Sequence, residues 1–390
     1  MPLRRAFEIC ALLIAAAILA TLLMLLSRAD GLVIGGQPVF GDFIGFWSAG
    51  RAALDGHAAD VHDRALIFSY HQLAAPGVEF MAWWNAPPTF LLVMTPLALL
   101  PFPVAAMVFL VASAAVYFIA ARKLLPGARA LIFAATLPAA VFQLGTVQTG
   151  LLIAGVSGLA LYWLDRRPLA AGALVGALAI KPHLALLWPV FLALSGRWRA
   201  FAAAAIGTVA FIGLAALVFG PEPFVRFFEN LRVSQSVVSE QLITTPAYAS
   251  LYGNLLGAGL PNAVALAAQI FSAATALAIA AWIFLKPTEA SGSGAALCAA
   301  TLLISPYLFF YDFTLLAAGA ALLGAPRDRF ELAAIVAAWS AGLSLTIAYL
   351  LPVPLCPLAA WLILLAAARR VRARAYPTQR TPDQPRSAQS

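Results

Sequence analysis

Three charged residues stand where so apolar a chain can hardly carry them. Asp42 opens "GDFIGFWSAGRAALDG", Lys181 interrupts "ALVGALAIKPHLALLWPVFLAL", and Asp312 follows Tyr311 in "SPYLFFYDFTLL". A lone charge at membrane depth costs roughly 3 kcal/mol or more, so each of these groups needs a partner or a task. A carboxylate such as Asp42 can take the proton of an attacking hydroxyl as general base, or it can do no more than cap the helix that follows. An ammonium such as Lys181 can offset the charge of a phosphate, or it can snorkel to the surface. An ionised Asp312 needs a cation, and Lys181, Arg51 and His183 are the candidates; a purely structural ion pair is the alternative. Weaker signals surround these. Gln143 and Gln148 lie in "FQLGTVQTGLLIAG", where amides also serve as glue between helices. Tyr248, Tyr252 and Asn254 lie in "TTPAYASLYGNLLGAGL", and rings with amides suit sugar or lipid contacts. His57 and His62 neighbour Asp60 and Asp63, and read as solvated loop residues. No metal-ligand cluster, phosphate loop, dinucleotide fingerprint or nucleophile elbow is present, so no cofactor and no metal are expected.

The elements that position these groups follow from composition. Of 390 residues, 63% are hydrophobic and 10% charged, against about 25% charged in soluble domains. Mean hydropathy is +0.91. An apolar solvent explains the missing charge, and the runs are too long for barrel strands, so the expected fold is an all-α polytopic membrane protein. Phe7 to Leu26 exceeds a signal-peptide core and reads as a retained first span. Counting apolar runs gives about twelve crossings, with the Pro-broken stretch 88–100 either half-inserted or part of a kinked span. With a cytoplasmic N-terminus, 18 of the 24 basic residues fall on inner segments, as the positive-inside rule requires. Two long segments, 28–87 and 220–261, then face outward. One transmembrane domain covers 1–368, and 369–390 reads as a basic, disordered cytoplasmic tail against anionic lipid. This tail and the inner loops account for the net charge of +8 without nucleic acid. Lys181-Pro182-His183 becomes the outer tip of a tight hairpin. Phe43, Phe46, Trp47, Gly50, Ala53 and Leu54 form a stripe that would lie along the membrane surface, and Trp83 and Trp84 read as an interfacial belt. Cys10, Cys298 and Cys356 read as small buried hydrophobes.

Five stretches in order, "GDFIGFWSAGRAALDG", "NAPPTFLLVMTPLALLP", "DRRPLAAGALVGALAIKPHLALLWPVFLALSGRWRA", "TTPAYASLYGNLLGAGL" and "SPYLFFYDFTLL", together resemble glycosyltransferase family 87, also known as domain of unknown function 2029. The resemblance runs from about residue 40 to about 365. It implies a GT-C-type fold, a polyprenyl-phosphate-linked sugar donor (polyprenol-phosphate mannose in known cases), and hexose transfer to a lipid or glycan acceptor outside the membrane. The family's catalytic base maps onto Asp42, and its Lys-Pro motif onto Lys181-Pro182. The chain departs from many members at Ala86, where Tyr is common before Pro-Pro, at "LGTVQTG", and at Tyr311-Asp312, where some relatives carry His. The expected enzyme is an inverting hexosyltransferase of a bacterial inner membrane, with both termini cytoplasmic and the site outward. Asp42 is its base, Lys181 and Arg51 steady the phosphate, and His183, Gln148, Tyr311, Asp312, Tyr252 and Asn254 complete the substrate contacts. A transporter or flippase of lipid-linked sugars, or a non-catalytic scaffold, are the competing classes.

Overall fold

Apolar runs satisfy their backbone in lipid by coiling, and a computed structural model shows a chain that is almost entirely helical. It describes residues 2–27, 31–125, 127–239, 248–286, 290–347 and 354–375. Helix α1 (Pro2–Leu26) leads into a hairpin of β1 (Val33–Ile34) and β2 (Gln37–Pro38), turned at Gly35 and Gly36, both with positive φ. Two consecutive positive φ values are what such a two-residue turn requires. The Gly36 carbonyl accepts from the Glu79 and Phe80 amides at 2.8 and 3.1 Å, which ties the hairpin to the end of the long segment 28–87.

That segment is a packed unit. It contains α2 (Phe43–Leu54) and α3 (Arg64–Ala74), and it abuts α4 (Pro88–Leu97) and α5 (Phe102–Leu124). Phe43, Ile44, Ala49 and Ala52 are fully buried, and the Phe43 ring lies 6.3 Å from Phe102 and 5.5 Å from Phe109. The expected surface-lying helix is therefore a core helix, because its second face (Ile44, Ala49, Ala52) is as apolar as the stripe. Trp84 is likewise interior, stacked on Phe90 at 5.6 Å, so the aromatic-belt reading fails for it. Buried His71 staples the unit: Nδ1 meets the Ser48 hydroxyl at 2.8 Å and Nε2 the Ala82 carbonyl at 3.1 Å. Burial pushes its pKa down to about 4, so the ring stays neutral. The stretch 88–100 is a short separate helix with a turn before α5, and α4 presses on α2 so closely that a Cβ on Gly50 would stand 2.5 Å from the Met94 carbonyl oxygen. Gly50→Ala is expected to destabilise by about 1–3 kcal/mol through forced separation of backbones. Gly213→Ala, with nothing within 4 Å of its new methyl, should not, and thermal unfolding of both variants in detergent checks the pair.

The run 129–143 is broken into α6 (Ala128–Thr136), α7 (Pro138–Val141) and α8 (Gln143–Thr146), followed by α9 (Gly150–Trp163) and α10 (Pro168–Ala177). A 3₁₀ turn (Leu178–Ile180), α11 (Pro182–Ala185), α12 (Leu187–Leu194) and α13 (Trp198–Phe219) come next. Gly172 lies against Ala200, and Gly176 against Gly207 and Thr208, so α10 and α13 run in the same direction through small residues. The connecting α12 packs against α13 and against the later helices Asn262–Phe284 and Ala290–Ile304. Lys181 is five residues past Gly176, level with about residue 212, so it lies ~10 Å short of the end of α13 at 1.5 Å per residue. It is recessed beside α13 rather than carried at a surface tip, and its side chain is only 14% exposed.

Then follow α14 (Glu222–Ser239), α15 (Leu251–Gly257), α16 (Asn262–Phe284) and α17 (Ala290–Ile304). A 3₁₀ turn (Phe310–Thr314), α18 (Leu315–Leu323), α19 (Arg329–Ser340), α20 (Ser344–Ile347) and α21 (Leu355–Ala375) complete the described chain. Among the described residues, α5, α13 and α16 are each long and apolar enough to cross a bilayer, and shorter apolar helices accompany them. Ile206, Val209 and Leu217 of α13 are at least 70% exposed, an arrangement that suits lipid rather than water. Cys298 and Cys356 are buried, whereas Cys10 is exposed on α1. The stretch from Arg369, expected as part of a disordered tail, is helical as far as Ala375: α21 continues to that residue, with Arg369 on Asp328 at 2.8 Å and Arg370 on buried Glu331 at 2.6 Å. Residues 376–390, and 240–247 of the long segment 220–261, lie outside the described residues.

Candidate active site

Asp42 stands immediately before α2 but does not cap it. Its backbone is already helical, with φ −67° and ψ −17°, and its side chain makes no cap hydrogen bond. Gly41, at φ +42°, is pressed onto the end of α8, where a Cβ would stand 2.9 Å from the Thr146 Cα. Only glycine fits both the conformation and the space. Across this contact Val147 takes a left-handed φ of +48°, which is costly for a β-branched residue and concentrates at functional sites. The turn swings Gln148 back, and its Nε2 donates to Asp42 Oδ2 at 2.8 Å. This is the one hydrogen bond the Asp42 carboxylate makes among the described residues. Burial raises the Asp42 pKa above its usual 3.8, opposed by the Gln148 hydrogen bond and the nearby Lys181 charge.

Lys181, at the break between the 3₁₀ turn and α11, donates from Nζ to Asp312 Oδ1 and to the Thr149 hydroxyl at 3.2 Å. Its Nζ also lies 4.9 Å from the centre of the Tyr311 ring. Asp312 is 2% exposed, and its second oxygen accepts the Phe309 amide at 3.1 Å. The ion pair expected for Asp312 is therefore formed, with Lys181 chosen over Arg51 and His183. A rigid frame holds it. Gln143 donates to the Thr314 hydroxyl at 2.8 Å and accepts the Leu151 amide at 2.9 Å. Gly150 brings α9 so close to the 3₁₀ turn that a Cβ would meet the Tyr311 carbonyl oxygen at 2.3 Å. Adjacent residues at the start of α9, Gln148 and Thr149, thus hold the carboxylate and the ammonium respectively. His183 lies within electrostatic reach of both Lys181 and Asp312, and its Nε2 is buried with no hydrogen-bond partner among the described residues. A ladder of rings extends from the pair: Tyr311 on Phe309 at 5.4 Å, then Phe309 on Tyr248 at 5.1 Å.

Chemically, the cluster offers a proton acceptor, a cation with three N–H groups of which two are engaged, and an apolar aromatic wall. Other expected residues are not brought here. Arg51 lies further along α2, 39% exposed and paired with Asp55 at 3.2 Å, itself bonded by the Tyr70 hydroxyl. Tyr252 and Asn254 serve α15 and its packing: the Tyr252 hydroxyl donates to Asn262 at 2.8 Å, and the Asn254 amide donates to the Ser250 carbonyl at 2.7 Å. His57 pairs with Asp60 in the open, and Asp63 caps α3. Among the described residues no group of three or more metal-ligating side chains gathers. Thr149 is the contact sequence reasoning missed; a second polar residue beside Gln148 in an apolar run was its only signal.

Compared with known protein families, residues 84–306 match the model of glycosyltransferase family 87. No curated protein and no solved structure matches. The matched stretch includes Gln148, Thr149, Lys181 and His183, while Asp42, Tyr311 and Asp312 flank it.

Proposed function

The chain belongs to glycosyltransferase family 87, and from that premise we propose that it moves a hexose from a polyprenyl-phosphate donor to a hydroxyl acceptor, with Asp42 as general base and Lys181 at the donor phosphate. The observation that supports this most is a carboxylate relieved of capping duty, held by a single amide and facing the field of a recessed ammonium. The acceptor oxygen attacks the anomeric carbon as its proton passes to a free Asp42 oxygen. The bond from that carbon to the phosphate oxygen breaks, and its electrons leave with polyprenyl phosphate, whose new charge faces the remaining N–H of Lys181. One displacement inverts the anomeric centre. No general acid is needed, because the phosphate leaves unprotonated. Tyr311, Phe309 and Tyr248 supply the apolar wall, and Asp312 and Thr149 fix the direction of the lysine. The GT-C-type arrangement is what the family resemblance implies, the count of apolar runs supports about twelve crossings, and the charge bias supports cytoplasmic ends and an outward site. Purified protein in right-side-out and inside-out vesicles, given labelled polyprenyl-phosphate mannose or glucose, tests this: product is expected only where the acceptor is supplied on the outer face.

Two smaller effects follow. Asp42 must be ionised to act, and burial raises its pKa, so transfer falls on acidification at a pH above the ordinary carboxylate value. Gln148→Leu removes the hydrogen bond that favours the charged form, and should move this acid limb of kcat/KM further up and slow transfer at neutral pH. An unmoved limb contradicts the pairing. Arg51→Ala, by contrast, breaks only an exposed i,i+4 pair and should leave transfer within about twofold of wild type.

A further inference from the structure

A second built site lies one ring contact from α2, in a notch between the start of α3, residues 81–85 and α14. It measures about 260 Å³ including its open mouth. Two of its lining residues each carry a buried polar atom that lacks a hydrogen-bond partner among the described residues: Trp84 Nε1 and His62 Nε2. The indole N–H can only donate, and Trp84 is 3% exposed. His62 Nδ1 lies 3.1 Å from the Trp84 carbonyl oxygen, so the proton sits on Nδ1 and is donated there. Burial lowers the His62 pKa and keeps the ring neutral, so Nε2 presents a bare lone pair. The notch is thus lined by two residues that each carry a buried polar atom in want of a partner, one a donor and one an acceptor. A hydroxyl, which accepts and donates at once, is the group that satisfies both.

The mouth says what carries that hydroxyl. The Trp83 ring stands there with the Arg64 guanidinium stacked on it at 3.9 Å. The Asn85 and Asn230 amides meet across it at 3.1 Å, and Phe227 of α14 packs 6.4 Å from the His62 ring. Indole faces and side-chain amides suit a polyhydroxylated ring. Arg64 is offset by neighbouring Asp63, so the lining does not select an anion. We propose that this notch is a subsite for a hexose unit of the acceptor, a unit other than the one being glycosylated, which sends one hydroxyl inward to Trp84 Nε1 and His62 Nε2. The position fits: Trp84 meets Phe46 edge-on at 6.1 Å, and Phe46 lies one turn of α2 from Asp42. Its identity as an acceptor subsite rests on the transferase reading; its capacity to bind a sugar ring does not.

Saturation-transfer difference NMR on the purified full chain, with methyl α-mannoside, methyl β-glucoside and the corresponding disaccharides as probes, tests this. Saturable binding is expected for wild type and equally for Asp42→Asn, which separates this site from the reaction centre. Trp84→Phe keeps the ring and removes the N–H, and Trp83→Ala and Asn230→Ala alter only the mouth; each should weaken binding about tenfold or more. If the folded wild-type chain gives no signal, or if the signal survives all three variants unchanged, the proposal is overturned.

Discussion

Asp42→Asn lowers transfer by about 10²–10⁴-fold, the span general-base catalysis supplies, while the folded protein accumulates as wild type. The structural part of this expectation comes from what Asp42 does not do. Its side chain accepts no backbone amide at the start of α2, so no side-chain cap is lost. The asparagine carbonyl can still accept the Gln148 N–H in the same geometry. Burial already disfavours the charged carboxylate, so a neutral isostere relieves desolvation rather than adding to it. Activity and stability therefore separate at this residue. A radiolabelled transfer assay in proteoliposomes, read beside the thermal unfolding midpoint, measures both.

Lys181→Ala is expected to do the opposite, damaging both together. The Asp312 carboxylate would be left 2% exposed and without its ammonium. Removing one partner of a buried pair costs about 3–5 kcal/mol, so the yield of folded protein should drop. The double variant Lys181→Ala/Asp312→Asn removes the stranded charge and keeps an acceptor for the Phe309 amide, so folding should return. Transfer should not return, because the group facing the donor phosphate is gone, and the residual activity should show a raised KM for the donor with that for the acceptor little changed. Recovered transfer in the double variant, or a change confined to the acceptor, would contradict the role given to Lys181.

Much of this site was legible because charge in an apolar chain is conspicuous. Asp42, Lys181 and Asp312 stand out against their neighbours, and an ionised Asp312 has few cations from which to choose. The sequence could not choose among them, since Lys181 and Asp312 are 131 positions apart and Asp42 and Gln148 are 106 apart. Arg51 was legible in part: Asp55 at i+4 already offered a local partner on an exposed helix face. The burial of α2 was harder to read. Its stripe has the period of a surface helix, yet Ile44, Ala49 and Ala52 make the opposite face apolar too, and a helix apolar all round is an interior one. Trp84 misled for a similar reason, since an indole next to a span suits both an interfacial belt and a core. The closeness of α9 to the 3₁₀ turn depends on Gly150, and a lone glycine in an apolar run does not announce what it approaches.

The base itself can be tested by removing the need for one. Azide is an anionic nucleophile with no proton to lose, so an enzyme lacking only its base can still pass the hexose to it. Asp42→Ala in the presence of azide should release the glycosyl azide of inverted anomeric configuration from the polyprenyl-phosphate donor, while transfer to the natural hydroxyl stays lost. Normal hydroxyl transfer by Asp42→Ala, or no azide product from a folded variant that still binds donor, would contradict the assignment of Asp42.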